Sequence, residues 1–279
     1  RYHKGCEEKG IFIIPSCGYD SIPSDIGSFY CHMMLNENID HIDGYHTGKG
    51  GVSGGTIESA FNMKNYKSSY KIGHPFLLNS KEFIENNHNS KSKDKFSIKY
   101  IKDIKKYSAP FVMAIANTRV VRRTAELKQN NQTSYGPNFS YNEYMKTGSY
   151  LSALMITLGL GVLGLMIVSP ISNLFRKLFT KPGNGPDKKT RDEGWFESIF
   201  VVKTETDNKY KFRLFGDGDP GYKSTAKLIC ESALCIALNF DQITKNNSGG
   251  VLTTASGLGE TLVNRLKNAD ILFEGPHKI

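Results

Sequence analysis

The sequence predicts a mixed α/β fold of the α+β kind, and three observations carry that prediction. The apolar run Ile11–Ile14 halts at Pro15 and is followed by a helical pattern, as in a strand-loop-helix unit. Two stretches of strand composition, Trp195–Thr204 and Lys209–Phe215, are joined by the turn residues Asp207 and Asn208 and read as a hairpin. The tail then repeats a strand-helix-strand order, from Val251–Thr253 through Leu258, Leu262 and Leu266 to Ile271–Phe273.

In chain order, Ile11–Ile14 suits a strand buried on both faces of a parallel sheet. The turn Gly18-Tyr19-Asp20-Ser21 follows, and Ile26, Phe29, Tyr30, Met33 and Met34 then mark one face of a helix. Asp20, Ser21 or Ser24 can cap that helix, and its free N–H groups point at whatever lies beyond the strand's carboxyl end, where open α/β sheets bind ligands. Capping alone would also account for these residues. A second loop, Gly48 to Thr56, is rich in glycine and precedes a helix that begins with Ile57, Ala60 and Phe61. It matches neither phosphate signature: no Lys precedes Thr56, and no acidic residue closes a dinucleotide fingerprint. Ser53, Gly54, Gly55 and Thr56 can hold a carbonyl or carboxylate there, or can simply form a tight turn.

The segment Lys81–Ser90 is polar and is expected to be a surface insertion without regular structure. Pro110 is expected to open a helix through Phe111, Val112 and Ile115 that carries Arg122 and Arg123, two candidates for pairing with an anion. Lys181–Pro186 and the charges up to Glu193 make a connector. After the hairpin, Gly216–Tyr222 leads into a helix from Ser224 or Thr225 through Ala237.

The formal charge of +9 is concentrated between Lys64 and Lys106, including Lys91, Lys93, Lys95, Lys99, Lys102, Lys105 and Lys106. No aromatic interleaving accompanies these lysines, so a solvated loop or anionic lipid is expected there and nucleic acid is not. The five cysteines form no CxxC pair and share no metal-ligand spacing with the seven histidines, which suits reduced thiols and argues against zinc. Asp217 and Asp219 imitate a calcium loop only until its twelfth position, Leu228, where Glu is required. No metal is expected. The chain opens on Arg1 with no basic leader before a short apolar run, so no secretory signal is predicted and the chain reads as the inside of a longer protein.

One stretch stands apart. Leu151–Phe175 holds 25 residues without a charge, and about 20 apolar residues suffice to cross a bilayer core. Arg176 and Lys177 follow it, Tyr141, Tyr144, Lys146 and Tyr150 precede it, and Ile171, Leu174, Phe175, Leu178 and Phe179 trace an amphipathic helix after Pro170. A buried core helix is the alternative. Gly159, Gly161, Gly164 and Pro170 make the segment bendable, so a re-entrant or monotopic insertion suits it as well as a span.

The motifs GYDSIPSDIG (18–27), SGGT (53–56), the Asn117–Arg123 stretch, GDPGY (218–222) with Glu231-Ser232-Ala233, and GGVLT (249–253) occur in an order that resembles the saccharopine dehydrogenase-like oxidoreductases, including those described as trans-acting enoyl reductases. The resemblance extends to the apolar insertion of eukaryotic members, which associate with membranes and lipid droplets. With motifs of one resembled fold on both sides of the segment, it implies a shallow hairpin or monotopic anchor, on the cytosolic face of a membrane or on a lipid droplet, rather than a single span. Tyr19 stands where Phe is more usual, and Thr254 where Pro is expected.

The resemblance implies a Rossmann-type domain of which only the last strand and helix (1–40) are present. A mixed-sheet substrate domain follows (41–148 and 182–246), interrupted by the apolar membrane insertion (149–181) and closed by a C-terminal segment (247–279). It implies that about a domain's worth of chain is missing at the N-terminus. It also implies NAD or NADP as cofactor and a lipid or enoyl substrate. Gly18, Tyr19, Asp20 and Ser21 would then border the cofactor, and Ser53, Gly54, Gly55 and Thr56 would hold the reacting carbonyl. Either Arg122 or Tyr222 would supply charge stabilisation or a proton. A non-catalytic scaffold keeping the same fold, and an integral membrane protein, are the other readings.

Overall fold

A computed structural model describes residues 2–51, 53–62, 73–86, 93–130, 134–179, 183–245 and 247–279. The strands are β1 (Phe12–Ile13), β2 (Ile39–Lys49), β3 (Lys99–Ile101), β4 (Lys106–Ala109), β5 (Ser140–Thr147), β6 (Trp195–Thr204), β7 (Lys209–Asp217), β8 (Gly250–Val251) and β9 (Leu272–Lys278). Seven of them form one mixed sheet in the order β3-β4-β5-β2-β6-β7-β9, and β1 pairs with β8 apart from it. Within the large sheet β2 and β5 run parallel, while the other neighbours are antiparallel. The predicted hairpin is present as β6–β7, with Asp207 at a φ of 61° in its turn.

The helices are α1 (His3–Glu7), α2 (Ile22–Met34), α3 (Gly54–Asn62), α4 (Lys81–Asn86), α5 (Ala114–Asn130), α6 (Tyr150–Val168), α7 (Ser172–Arg176), α8 (Lys188–Asp192), α9 (Lys223–Leu238), α10 (Phe240–Thr244), α11 (Thr254–Gly257) and α12 (Gly259–Asn268). Strand alternation decides which face they cover. Phe196, Ser198, Phe200 and Val202 of β6 are buried towards α2, and with Ile22, Ile26, Phe29, Ile42, Tyr141, Phe212 and Leu214 they form the main core. A Cβ on Gly27 would sit 2.2 Å from the Phe200 ring, so this glycine sets how closely α2 lies on the sheet. The opposite face is thinner. It carries the stacked rings of Tyr45 and Tyr144 with Val201, and a row of ion pairs in which Glu197 meets Lys146 and Arg213, and Arg213 meets Glu274.

Several expectations change. Ile11–Ile14 does not form a strand buried on both faces: β1 spans Phe12–Ile13, has one strand partner among the described residues, and leaves Ile11 and Ile13 exposed. Lys81–Ser90 is not structureless, because α4 occupies its first part; residues 87–90 lie outside the described residues. The helix expected from Pro110 starts at Ala114, after a turn at 112–113. The apolar stretch runs as an unbroken helix through Gly159, Gly161 and Gly164 and is interrupted at Ser169, Pro170 and Ile171, where proline removes a donor. Lys64, Lys91, Lys181 and Pro182 lie outside the described residues. A complete Rossmann sheet is absent among the described residues; the parallel β1–β8 pair stands alone.

Candidate active site

The turn Gly18–Ser21 lies between β1 and α2 and is fastened from two sides. Thr225, in the first turn of α9, accepts the Tyr19 N–H at 2.9 Å, and a Cβ on Gly18 would lie 2.6 Å from that same hydroxyl. The Tyr19 ring packs edge-on against Phe196 at 5.2 Å. Ser21 is buried and donates to Asn117 Oδ1 of α5 at 3.2 Å, while Asp20 is exposed. Burial pushes the Tyr19 hydroxyl's pKa upward, and the charges of Glu143 and Asp20 push it further.

The glycine-rich loop leaves the end of β2 and is pressed against two others. A Cβ on Gly50 would meet Asp219 at 2.7 Å, one on Gly51 would meet Pro186 at 2.8 Å, and one on Gly221 would meet the Gly51 carbonyl at 2.5 Å. Ser53 accepts the Thr56 N–H at 3.0 Å and its hydroxyl lies 2.9 Å from the Thr56 hydroxyl, so the pair closes the N-terminus of α3. The Asn184 carbonyl accepts from both the Gly54 N–H at 3.3 Å and the Tyr222 hydroxyl at 3.0 Å. Buried Asp219 accepts the Tyr222 and Lys223 N–H groups at 3.2 and 2.9 Å and caps α9. Ser53–Thr56 and Tyr222 are therefore brought together around one carbonyl, and α9 connects them to the Gly18–Ser21 turn through Thr225.

Arg122 is elsewhere. It is buried within α5, where its guanidinium donates to the Pro75 carbonyl at 2.8 Å, the Tyr141 carbonyl at 2.9 Å and Asp94 Oδ1 at 3.3 Å, with the Phe76 ring beneath it. Desolvation lowers its pKa to about 10 against the opposing pull of Asp94, so it stays charged at neutral pH. Arg119 shares the same carboxylate. Arg123 pairs with Glu126 at 2.7 Å.

Two buried carboxylates escaped the sequence reading. Asp25, in the first turn of α2, is fully buried and accepts from Thr124 Oγ1 at 2.5 Å, Thr254 Oγ1 at 2.8 Å and the Ala255 N–H at 2.8 Å, joining α2 to α5 and α11. Burial raises its pKa, partly offset by those donors. Glu143 of β5 accepts from Ser24 at 2.8 Å and Tyr141 at 2.9 Å, with His46 Nε2 3.5 Å away. Asp25 stood within a recognised motif. Glu143 shares strand parity with Tyr141, and that parity was the one sequence signal able to place it inward.

Within the Gly18–Ser21 turn the Tyr19 and Ser21 N–H groups and the Ser21 hydroxyl are engaged inside the protein, so these three donors are not free to hold the pyrophosphate of a nicotinamide cofactor.

No family model matches the chain. Among curated proteins it is 30% identical over 98% of its own length, and 69% of the relative's, to a Mycobacterium tuberculosis H37Rv protein provisionally assigned as a trans-acting enoyl reductase. It is 28% identical over 98% of its length to the trans-acting enoyl reductase of Mycobacterium bovis BCG, and 26% identical over 97% to that of Mycobacterium ulcerans, again matching 69% of each relative. The matched region covers both sides of the apolar helix and every loop described above. The chain belongs to the trans-acting enoyl reductase family of oxidoreductases.

Proposed function

We propose that this chain is the substrate-side part of an NAD- or NADP-dependent reductase acting on an enoyl or other lipidic substrate, at the cytosolic surface of a membrane or lipid droplet. The observation that carries the reductase reading is similarity to enoyl reductases along nearly the whole chain. In this reading β1 and β8 border a nucleotide-binding sheet. When bound, the cofactor supplies the hydride. Gly18–Ser21 packs beside its nicotinamide ring, and the Ser53–Thr56 loop with Tyr222 holds the substrate carbonyl from which charge develops.

The surface reading is supported by α6, a 19-residue helix of membrane-spanning length whose one buried side chain is Ala153. Leu151, Met155, Leu158, Val162, Leu165 and Val168 are exposed. Arg176 of α7 pairs with Glu58 of α3, and Phe179 packs on Phe61, so the helix that begins at the Ser53–Thr56 loop is fastened to the anchor. A lipidic substrate would then reach the loop from the apolar side.

A non-catalytic scaffold is the second reading, favoured by one observation: the polar groups of Thr56, Arg122 and Tyr222 are all engaged within the protein. Titration of the complete gene product with NADH and NADPH, followed by nicotinamide fluorescence, and then turnover of a trans-2-enoyl thioester, separates the two. Cofactor oxidation that depends on the thioester supports the reductase, and an absence of nicotinamide binding supports the scaffold. Flotation with phospholipid vesicles, lost on Leu158→Asp with Val162→Asp, tests the surface reading separately.

A further inference from the structure

Beneath the first turn of α2 the helix-covered face of the sheet holds a polar cluster that the mechanism above does not use. Its centre is the Glu143 carboxylate, whose side chain is 0% exposed, beside His46 at 2%. Oε2 takes the hydroxyl hydrogens of Ser24 and Tyr141 and faces His46 Nε2 at 3.5 Å. Oε1 and His46 Nε2 are both buried with no hydrogen-bond partner. His46 Nδ1 lies 2.8 Å from the Ser198 hydroxyl, which can donate or accept and therefore tolerates either imidazole tautomer. Phe111 stacks on the ring at 5.1 Å and Phe200 meets it edge-on.

The space for this contact is built into β2. Gly44 is the register partner of Glu143, and a Cβ there would fall 2.8 Å from the Tyr141 hydroxyl and 3.0 Å from His46 Nε2. Glu143 also lines a cavity of about 10 Å³, walled by Asn142, Phe111, Ala114, Thr118 and Asp94. Roughly one water fits a space of that size, and polar walls favour its presence. Leaving buried polar atoms unpaired is costly, so packing alone does not account for Glu143 Oε1 and His46 Nε2.

The cluster adjoins the candidate turn. Ser24 is one helical turn beyond Ser21, and Ser21 is bonded to Asn117, next to Thr118 in the cavity wall. The Glu143 charge is felt by Tyr19 of the same turn. The charged and titratable groups around the pair are Asp94 and Lys95 ahead of β3, Arg119 and Arg122 from α5, Tyr141 from β5 and Tyr19.

We propose that His46 and Glu143 form a buried proton relay that serves reduction at the Gly18–Ser21 turn. The inference rests on the reductase reading. A reduced nicotinamide bound beside the turn would supply hydride, with its electron pair, to the β-carbon of the enoyl group, and the C=C π electrons would pass to an enolate as the nicotinamide is oxidised. A proton held between His46 and Glu143 would then pass by way of the Ser24 hydroxyl, which bonds Glu143 Oε2 one helical turn from Ser21, to the α-carbon, and water in the cavity against Glu143 would refill the pair. His46 and Glu143 act through Ser24 and are positioning residues.

The test uses the complete gene product. Glu143→Gln is expected to lower kcat about 100-fold, within the range for a lost acid–base group, to leave KM and nicotinamide affinity unchanged, and to remove one limb of the pH–rate profile. Glu143→Asp should restore part of the rate. An unchanged kcat and pH profile in Glu143→Gln would overturn the relay. Should that variant not fold, ¹⁵N-histidine NMR of the unaltered protein decides: a His46 ring that changes tautomer or charge between about pH 5 and 9 supports the relay, and one fixed in a single tautomer throughout overturns it. The NMR result stands even if no reductase activity is found, so failure of the relay and failure of the reductase reading are distinguishable.

Discussion

Replacing Asp25 with Ala removes a carboxylate that three donors from two other elements converge on, and leaves the Thr124 and Thr254 hydroxyls and the Ala255 N–H without it. Hydrogen bonds to a charged group contribute about 1.5–3 kcal/mol each. They do not add fully here, because burying the charge is itself costly and the Thr124 hydroxyl also meets the Val120 carbonyl and Thr253. A net loss of about 3–5 kcal/mol is expected, by analogy with breaking one side of a buried polar pair. For a domain of this size that lowers Tm by roughly 6–20 °C. The assay is thermal unfolding by circular dichroism, with Asp25→Asn as the isosteric comparison.

The pH dependence carries a definite sign. The folded-state pKa of Asp25 is raised above its ordinary 3.8, chiefly by desolvation. Its folded state therefore binds the proton more readily than the unfolded chain, and stability is lost as pH rises from 3.8 through the raised pKa. Asp25→Asn should flatten that limb. An Asp25→Ala variant within about 1 kcal/mol of the parent would refute the view that this carboxylate fastens α2 to α5 and α11.

His32 should show the opposite limb: burial first, and Lys128 second, lower its pKa from 6.5 to about 4, so stability present above 6.5 is lost as pH falls through 4, and His32→Gln should remove that loss in acid unfolding curves. Gly27→Ala places a methyl group 2.2 Å from Phe200 and should cost about 1–3 kcal/mol in urea unfolding, whereas Gly5→Ala, with nothing within 4 Å, should be neutral or slightly stabilising. Arg122→Lys loses the planar fork that reaches two carbonyls and Asp94, and should destabilise by about 2–4 kcal/mol in the same assay. Ser53→Ala should cost about 1 kcal/mol as a lost cap; Thr56→Ala should cost less, since the Ser53 oxygen still accepts the backbone N–H of residue 56, and a fall in reductase rate beyond that small stability change would mark a substrate role.

Local chemistry was enough for much of the fold. The β6–β7 hairpin followed from alternation and an Asp-Asn turn, α6 from apolar length, and a helix after the glycine-rich loop from Ile57, Ala60 and Phe61, although α3 already begins at Gly54. Extent was harder to read. Ile11–Ile14 has the composition of a central strand, yet its pairing depends on which strands lie beside it, and the described residues supply one neighbour. Pro110 resembled a helix start, but the helix begins beyond it at Ala114.

The sequence by itself determined the mixed α/β composition, the long apolar helix and the family, because these rest on residue type, short-range periodicity and motif order. Only the tertiary structure decided which polar groups are occupied. Arg122 and Tyr222 carry side chains suited to charge stabilisation or proton transfer, and the fold gives the guanidinium to carbonyls and Asp94 and the phenol to the Asn184 carbonyl. Asp25, Glu143 and His46 became visible only when parallel strands β2 and β5 and the first turn of α2 met. The physical reason is that a buried polar group is defined by partners about a hundred residues away, and neither spacing nor composition encodes which of them will arrive.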